Sequence, residues 1–100
     1  MSEQLSFKQT MRKHLKTLNL YVPVVARVHG EHHPEFHQVK ALFDAISAKT
    51  KEAGRGVPDL DAEFAKLRDI TADYTVPGDV CESYEAVYSM LADLDRAYQA

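Results

Sequence analysis

Four stretches of this 100-residue chain carry apolar residues at steps of three or four positions, and this periodicity constrains the fold most strongly. Because an α-helix turns once every 3.6 residues, such positions share one face of a helix. In chain order the stripes run over Phe7–Val28, Phe36–Ile46, Leu60–Tyr74 and Tyr84–Tyr98. The strand-like alternation of apolar and polar residues does not occur in the sequence. The sequence therefore predicts an all-α protein.

The residues that flank each stripe indicate where the helices begin and end. Ser6 and Gln9 have the spacing of a capping box, and so have Asp79 and Glu82. Gly30 is expected to end the first helix in the left-handed conformation that glycine adopts readily. The predicted helices span residues 6–29, 33–53, 58–74 and 79–98.

Pro23 lies inside the first stripe. Because proline lacks an amide hydrogen and its ring clashes with the preceding turn, we expect the first helix to be kinked at Pro23, or split into two collinear helices. Four helices with short connections bury their apolar faces most simply as a small antiparallel four-helix bundle. Residues 1–100 are thus predicted to form a single helical domain.

Charge and composition exclude several classes of partner. With 12 basic and 15 acidic residues the net charge is −3, and no basic stripe indicates nucleic-acid binding. The longest apolar run, Tyr21–Ala26, is too short to span a membrane. The segment Met1–Gln4 lacks the features of a signal peptide, and a single cysteine, Cys81, fits a reducing compartment. We therefore expect a cytoplasmic protein that binds neither nucleic acid nor membranes.

Four of the five histidines lie within nine residues, at the predicted corner between the first two helices. Imidazole is the commonest neutral metal ligand. His29 ends the first helix, and His33 and His37 stand four apart at the start of the second, so these three rings could hold Fe or Zn. His32, inside the turn, is a further candidate ligand. The alternative is that these are solvated histidines that cap the second helix and complement the dipole of the first.

Two other side chains could carry chemistry. Cys81 is expected in the first turn of the fourth helix, where backbone amides stabilise a thiolate. Because no basic residue adjoins it and no second cysteine exists, a small buried hydrophobic residue is the preferred interpretation. His14 lies on the core side of the first stripe, and we expect it to be packed and hydrogen-bonded. No catalytic constellation is evident, so the chain is not predicted to be an enzyme.

Three segments read, in order, V-A-R-V-H-G-E-H-H-P-E-F at 25–36, L-R-D-I-T-A-D-Y-T-V-P-G-D-V-C at 67–81 and S-Y-E-A-V-Y-S-M-L-A-D-L at 83–94. They resemble motifs of the repair-of-iron-centres family, the hemerythrin-like di-iron proteins of iron–sulfur cluster repair. The likeness covers roughly two-thirds of the chain. It implies a hemerythrin-like bundle, metal binding, and a role in iron–sulfur repair as part of a stress response.

The family's di-iron site uses histidines from separate helices and two H-x-x-x-E motifs whose carboxylates bridge the irons. Counting on from His33, the first motif would fall at Ala53 and Val57, beside a glycine-containing loop. The second motif directly follows the L-x-x-L segment in the family, and this sequence ends at Ala100, just short of it. His29, in V-H-G, is the residue that occupies a matching position. The resemblance thus implies an accessory or metal-handling protein without its own di-iron centre.

A second hypothesis comes from a different class. The same scaffold could serve as a non-catalytic helical module for protein–protein interaction or dimerisation, which needs none of the missing ligands. The expected partners are an iron–sulfur or di-iron protein under the first hypothesis, and another protein or a second copy as a homodimer under the second.

Overall fold

A computed structural model describes residues 6–100, and every regular element in this range is an α-helix. The helices are α1 (Phe7–His29), α2 (Glu35–Ala53), α3 (Asp61–Ile70) and α4 (Glu82–Gln99). Helix α1 packs against α4 and α2, and α2 packs against α3, in a body of 41 × 26 × 24 Å. The predicted all-α, antiparallel four-helix bundle is confirmed. No helix in the described range is long and apolar enough to cross a membrane.

The core is apolar, with two tyrosines inside it. The largest fully buried side chains come from all four helices and include Leu18, Phe36, Phe43, Phe64, Tyr84, Tyr88 and Leu91. The hydroxyl groups of Tyr84 and Tyr88 lie 2.9 Å apart and hydrogen-bond each other, so neither is left unsatisfied. Among residues 6–100 the buried polar side chains are Thr10, Thr71 and Asp95.

Helix α1 begins where the sequence predicts. Ser6 Oγ accepts a hydrogen bond from the Gln9 amide at 3.2 Å, and Gln9 Oε1 accepts one from the Ser6 amide at 3.0 Å, so the predicted capping box is confirmed. The helix continues through Pro23 without interruption. The expected division into two collinear helices is therefore wrong, and the kink at Pro23 stays a prediction.

Gly30 does not adopt the predicted left-handed conformation. Its φ of −61° and ψ of −24° are right-handed. The position requires glycine for a different reason, because a Cβ atom there would collide with the carbonyl oxygen of Ala26 and the imidazole of His37. Glycine at this corner therefore permits a close approach of two helices rather than an unusual backbone angle.

Helix α3 is shorter than the predicted range 58–74. Its N-cap is Leu60, and the chain leaves the helix after Ile70 because the backbone turns left-handed. The three residues after Thr71 have positive φ angles, at Ala72 (50°), Asp73 (58°) and Tyr74 (62°). This conformation costs a non-glycine residue roughly 1–2 kcal/mol, so three in succession need compensating contacts.

Those contacts come from Thr71 and from Asp95 of α4. Thr71 Oγ1 accepts a hydrogen bond from the Tyr74 amide at 2.8 Å and donates one to the Leu67 carbonyl at 2.6 Å. The Tyr74 hydroxyl donates to Asp95 Oδ2 at 2.7 Å. Burial, with a further contribution from Asp95, raises the pKa of Tyr74 well above its usual range, so this hydroxyl remains a donor. The loop is thus attached to α4.

Candidate functional site at the corner between α1 and α2

Cys81 lies outside helix α4, as its N-cap, and it is exposed. The predicted start of the helix at residue 79 and the predicted burial of Cys81 are both wrong. The reason is the extended backbone of Cys81, with φ −87° and ψ 173°, which keeps the preceding residues out of the helix. The thiol instead becomes part of the corner formed by the end of α1 and the start of α2.

His29, the last residue of α1, is the neighbour of this thiol. His29 Nε2 lies 3.1 Å from Cys81 Sγ, within hydrogen-bonding distance. The imidazole also packs edge-on against the ring of Tyr84, with centroids 5.5 Å apart and planes at 90°. Imidazole nitrogen and thiolate sulfur are both ligands of first-row metal ions. The pair therefore offers two donor atoms of suitable chemistry side by side.

His33 precedes α2 and has partners at both ring nitrogens. Its Nδ1 lies 3.1 Å from Glu35 Oε2, and its Nε2 lies 3.1 and 3.2 Å from the two oxygens of Asp79. Because Asp79 contacts His33, it does not cap α4, and the predicted capping box with Glu82 is wrong. The His33 ring also packs against Tyr84 at a centroid distance of 5.6 Å. The rings of His29 and His33 thus both pack against Tyr84.

The two carboxylates favour the protonated form of His33. Burial alone would lower its pKa, but the hydrogen bonds and charges of Glu35 and Asp79 outweigh this effect and raise the pKa of His33 above 6.5. The hydrogen bond from His33 correspondingly lowers the pKa of Asp79. A protonated imidazole has no lone pair to give to a metal ion. In this arrangement His33 is therefore an ion-pair partner.

The remaining histidines of the corner lie elsewhere. The His37 ring is on α2 and packs against Gly30, while His32 is exposed in the turn. Across residues 6–100, no three or more His, Cys, Asp or Glu side chains are grouped closely enough to hold a metal ion. A site made by His29, His33 and His37 stays a prediction, and it would require these side chains to change their present partners.

The bundle core does not fit a di-iron centre. Two adjacent cations need carboxylate ligands between the helices. Asp95 is the buried carboxylate of the described chain, and both of its oxygens accept hydrogen bonds from Arg68 Nη1, at 2.8 and 3.0 Å. Of the positions where the family's first motif would fall, Ala53 ends α2 and Val57 is exposed in the following loop.

Sequence reasoning missed the two long-range partners of this site. Cys81 is 52 residues from His29, and Asp79 is 46 residues from His33, so no local pattern connects them. The signal that could have joined the first pair is the resemblance itself. His29 and Cys81 belong to two of the motif segments, 25–36 and 67–81.

The chain is similar to the iron–sulfur cluster repair protein ScdA of Staphylococcus haemolyticus (strain JCSC1435), at 24% identity over 124 residues. The match covers 93% of this chain and 56% of the relative, so the chain spans about half the length of the protein it matches. Because the aligned region is longer than this chain, the relative contains residues between the matched segments that have no counterpart here. No protein-family signature and no solved structure matches. The similarity indicates a distant relationship, and a hemerythrin-like ancestry of the bundle stays a prediction.

Proposed function

We propose that this chain is an accessory protein of iron–sulfur cluster repair that handles iron or zinc as cargo at the His29–Cys81 pair. The observation that carries the proposal is the 3.1 Å contact between His29 Nε2 and Cys81 Sγ. Support comes from the position of both residues in motif segments that resemble the repair family, and from the distant similarity to a protein named for this repair.

Two protein ligands suit transfer of an ion better than permanent storage. A first-row divalent ion held by one imidazole and one thiolate keeps open positions, which a partner's ligands can enter. We propose an iron–sulfur or di-iron protein as that partner. His33 and His37 remain candidate ligands, but His33 would have to leave Glu35 and Asp79, and His37 would have to leave Gly30. The pair is therefore the proposed first point of binding.

Titration calorimetry on protein without an affinity tag tests this site. Zn²⁺, or Fe²⁺ without oxygen, should bind saturably, and affinity should fall with pH because protons compete for the same atoms. His29→Ala and Cys81→Ser should each weaken binding at least about 10-fold. The matched control is His14→Ala, because His14 bonds Asp93 Oδ2 at 3.1 Å, as predicted for a packed histidine.

The outcomes separate the possible ligand sets. Strong loss on replacing His33 and His37, but not Cys81, would favour the three-histidine site over the pair. Absence of saturable binding, or equal affinity in every variant, would contradict metal handling and leave the non-catalytic interaction module as the function. Reconstitution with ferrous iron in air should give no diferric absorption bands, and two irons per chain would contradict the proposed lack of a di-iron centre.

A further inference from the structure

The outward side of α1 carries an unusual charge distribution. Five of the chain's 12 Lys and Arg residues lie in α1, and none of its 15 Asp and Glu residues do. Arg12, Lys13 and Lys16, in the N-terminal half, are exposed. Within the described part of the chain none of these three forms an ion pair. This half of α1 is therefore a basic surface available to an acidic group.

The C-terminal half of the same side carries an apolar row beside one exposed basic residue, Arg27. Three of the four exposed large apolar residues in the described chain are Leu20 (63% exposed), Val24 (40%) and Val28 (58%). They stand four positions apart, so they form one row on successive turns of the helix. The core-facing side of α1 is formed by other residues, such as Val22 and Val25, which are buried. The row is thus an apolar surface that the fold itself leaves uncovered.

We propose that this α1 row, Leu20, Val24 and Val28, binds a second copy of the chain, with the two α1 helices antiparallel and crossing near Val24. The row is complementary to itself in this orientation. A two-fold axis at Val24 places Leu20 of each copy against Val28 of the other, so every contact occurs twice. This interface is independent of metal handling at His29 and Cys81.

The basic N-terminal half of α1 favours the antiparallel direction. A parallel pair would place the two basic halves side by side. In the antiparallel pair each Lys16 lies about 12 Å along the helix from Val24, and the two lysines are then about 24 Å apart. That separation exceeds the screening length of about 8 Å at physiological salt. The same crossing brings Lys16 of one copy to the end of α1 in the other, where the exposed, acidic Glu31 follows.

The size of the row indicates a weak association. Stable interfaces bury roughly 800 Å² on each partner, more than three aliphatic side chains provide. We therefore expect a dimer whose population depends strongly on concentration. Flanking charge pairs, such as Lys16 with Glu31, add orientation more than affinity.

Sedimentation velocity in reducing buffer, from about 1 µM to about 1 mM protein, tests the interface. The average mass should rise towards that of a dimer, and Leu20→Asp or Val28→Asp should keep the chain monomeric. The matched control is Val57→Asp, because Val57 is 86% exposed but lies between α2 and α3. Circular dichroism of each variant checks that the helices are retained.

Charge reversal tests the orientation. Lys16→Glu and Glu31→Lys should each weaken the dimer several-fold, and the double variant should recover part of the loss. A wild-type chain that stays monomeric at about 1 mM would overturn the proposal, and so would a dimer that Leu20→Asp leaves intact. Zn²⁺ binding by Leu20→Asp should equal that of the wild type, so failure of this proposal is distinguishable from failure of the metal site.

Discussion

The Tyr74 hydroxyl donates a hydrogen bond to Asp95 Oδ2 over 2.7 Å, and this contact joins the left-handed end of α3 to the buried face of α4. Asp95 is 5% exposed, and its carboxylate also accepts from Arg68 Nη1 and from Gln99 Nε2. A buried carboxylate is tolerated when charged and neutral donors satisfy it. Asp95 thus connects three parts of the chain at one point.

Replacing Asp95 by Ala should lower the free energy of unfolding by about 1–3 kcal/mol, because the Tyr74 hydroxyl and the partly exposed Arg68 guanidinium both lose their partner. Tyr74→Phe removes one hydrogen bond and should cost only about 1 kcal/mol. Urea denaturation measures both. The control is Asp44→Ala, in an exposed pair with Lys40, which should change stability by at most about 0.5 kcal/mol. Equal losses at residues 95 and 44 would contradict the role of Asp95.

Gly30→Ala should destabilise the protein by about 1–3 kcal/mol, because the new methyl group meets the Ala26 carbonyl and the His37 ring. Gly78→Ala is the matched control, since a methyl group there would meet no atom of residues 6–100 within 4 Å, apart from its chain neighbours. Thermal unfolding of the two variants makes the comparison. Similar stability of both variants would mean that α1 and α2 can move apart at Gly30 without a loss of stability.

Two leucines on the predicted stripes should respond differently. Leu91 is fully buried, so Leu91→Ala should cost about 2–5 kcal/mol through lost burial and a cavity. Leu42, on the α2 stripe, is only partly buried. Leu42→Ala should therefore lower the free energy of unfolding by less than Leu91→Ala does. Urea unfolding curves of both variants give the difference. A larger loss at Leu42 than at Leu91 would contradict the packing described for α2 and α4.

The ion pair between Lys49 Nζ and Glu63 Oε2, 2.7 Å apart, predicts an acid-dependent contribution to stability. The hydrogen bond from Lys49 lowers the pKa of Glu63 below its ordinary 4.5, although burial opposes the change. Because the folded pKa is the lower one, the contribution is present above pH 4.5 and is lost as pH falls through the folded value. The melting temperature of the wild type should therefore fall more steeply in acid than that of Glu63→Gln.

Glu31→Gln is the control for this pH series, because Glu31 is exposed and forms no ion pair in residues 6–100. Its melting temperature should follow the wild-type curve. Parallel curves for the wild type and Glu63→Gln would show that the Lys49 pair does not contribute.

A capping box could be predicted from the sequence where no residue distant in the chain competes for its side chains. The Ser6–Gln9 box forms as predicted because both partners lie within one turn. Asp79 and Glu82 have the same spacing, but the imidazole of His33 binds the Asp79 carboxylate instead. A capping box is worth about 1 kcal/mol, so a charged partner from another element can displace it.

Neither the end of α3 nor the exposure of Cys81 could be predicted from the sequence. Left-handed backbone is normally marked by glycine or asparagine, and Ala72 and Tyr74 carry no such mark. Tertiary contacts to Asp95 decide their conformation, and a single sequence does not show these contacts. Cys81 was predicted to be buried because no basic residue adjoins it in the sequence and no second cysteine exists. It is exposed because its extended backbone places it before the first turn of α4.

The left-handed backbone of residues 72–74 also determines how the native protein opens. Release of the Thr71 and Asp95 contacts relieves the conformational cost of this segment, so it can open at lower free energy than the whole bundle. The Asp73 amide, which donates to the Arg68 carbonyl at 2.8 Å, then exchanges its hydrogen with solvent through that local fluctuation. Amides in the middle of α1 and α4, where the core residues are buried, are expected to exchange through global unfolding. We therefore expect the connection between α3 and α4 to open as a cooperative unit of its own.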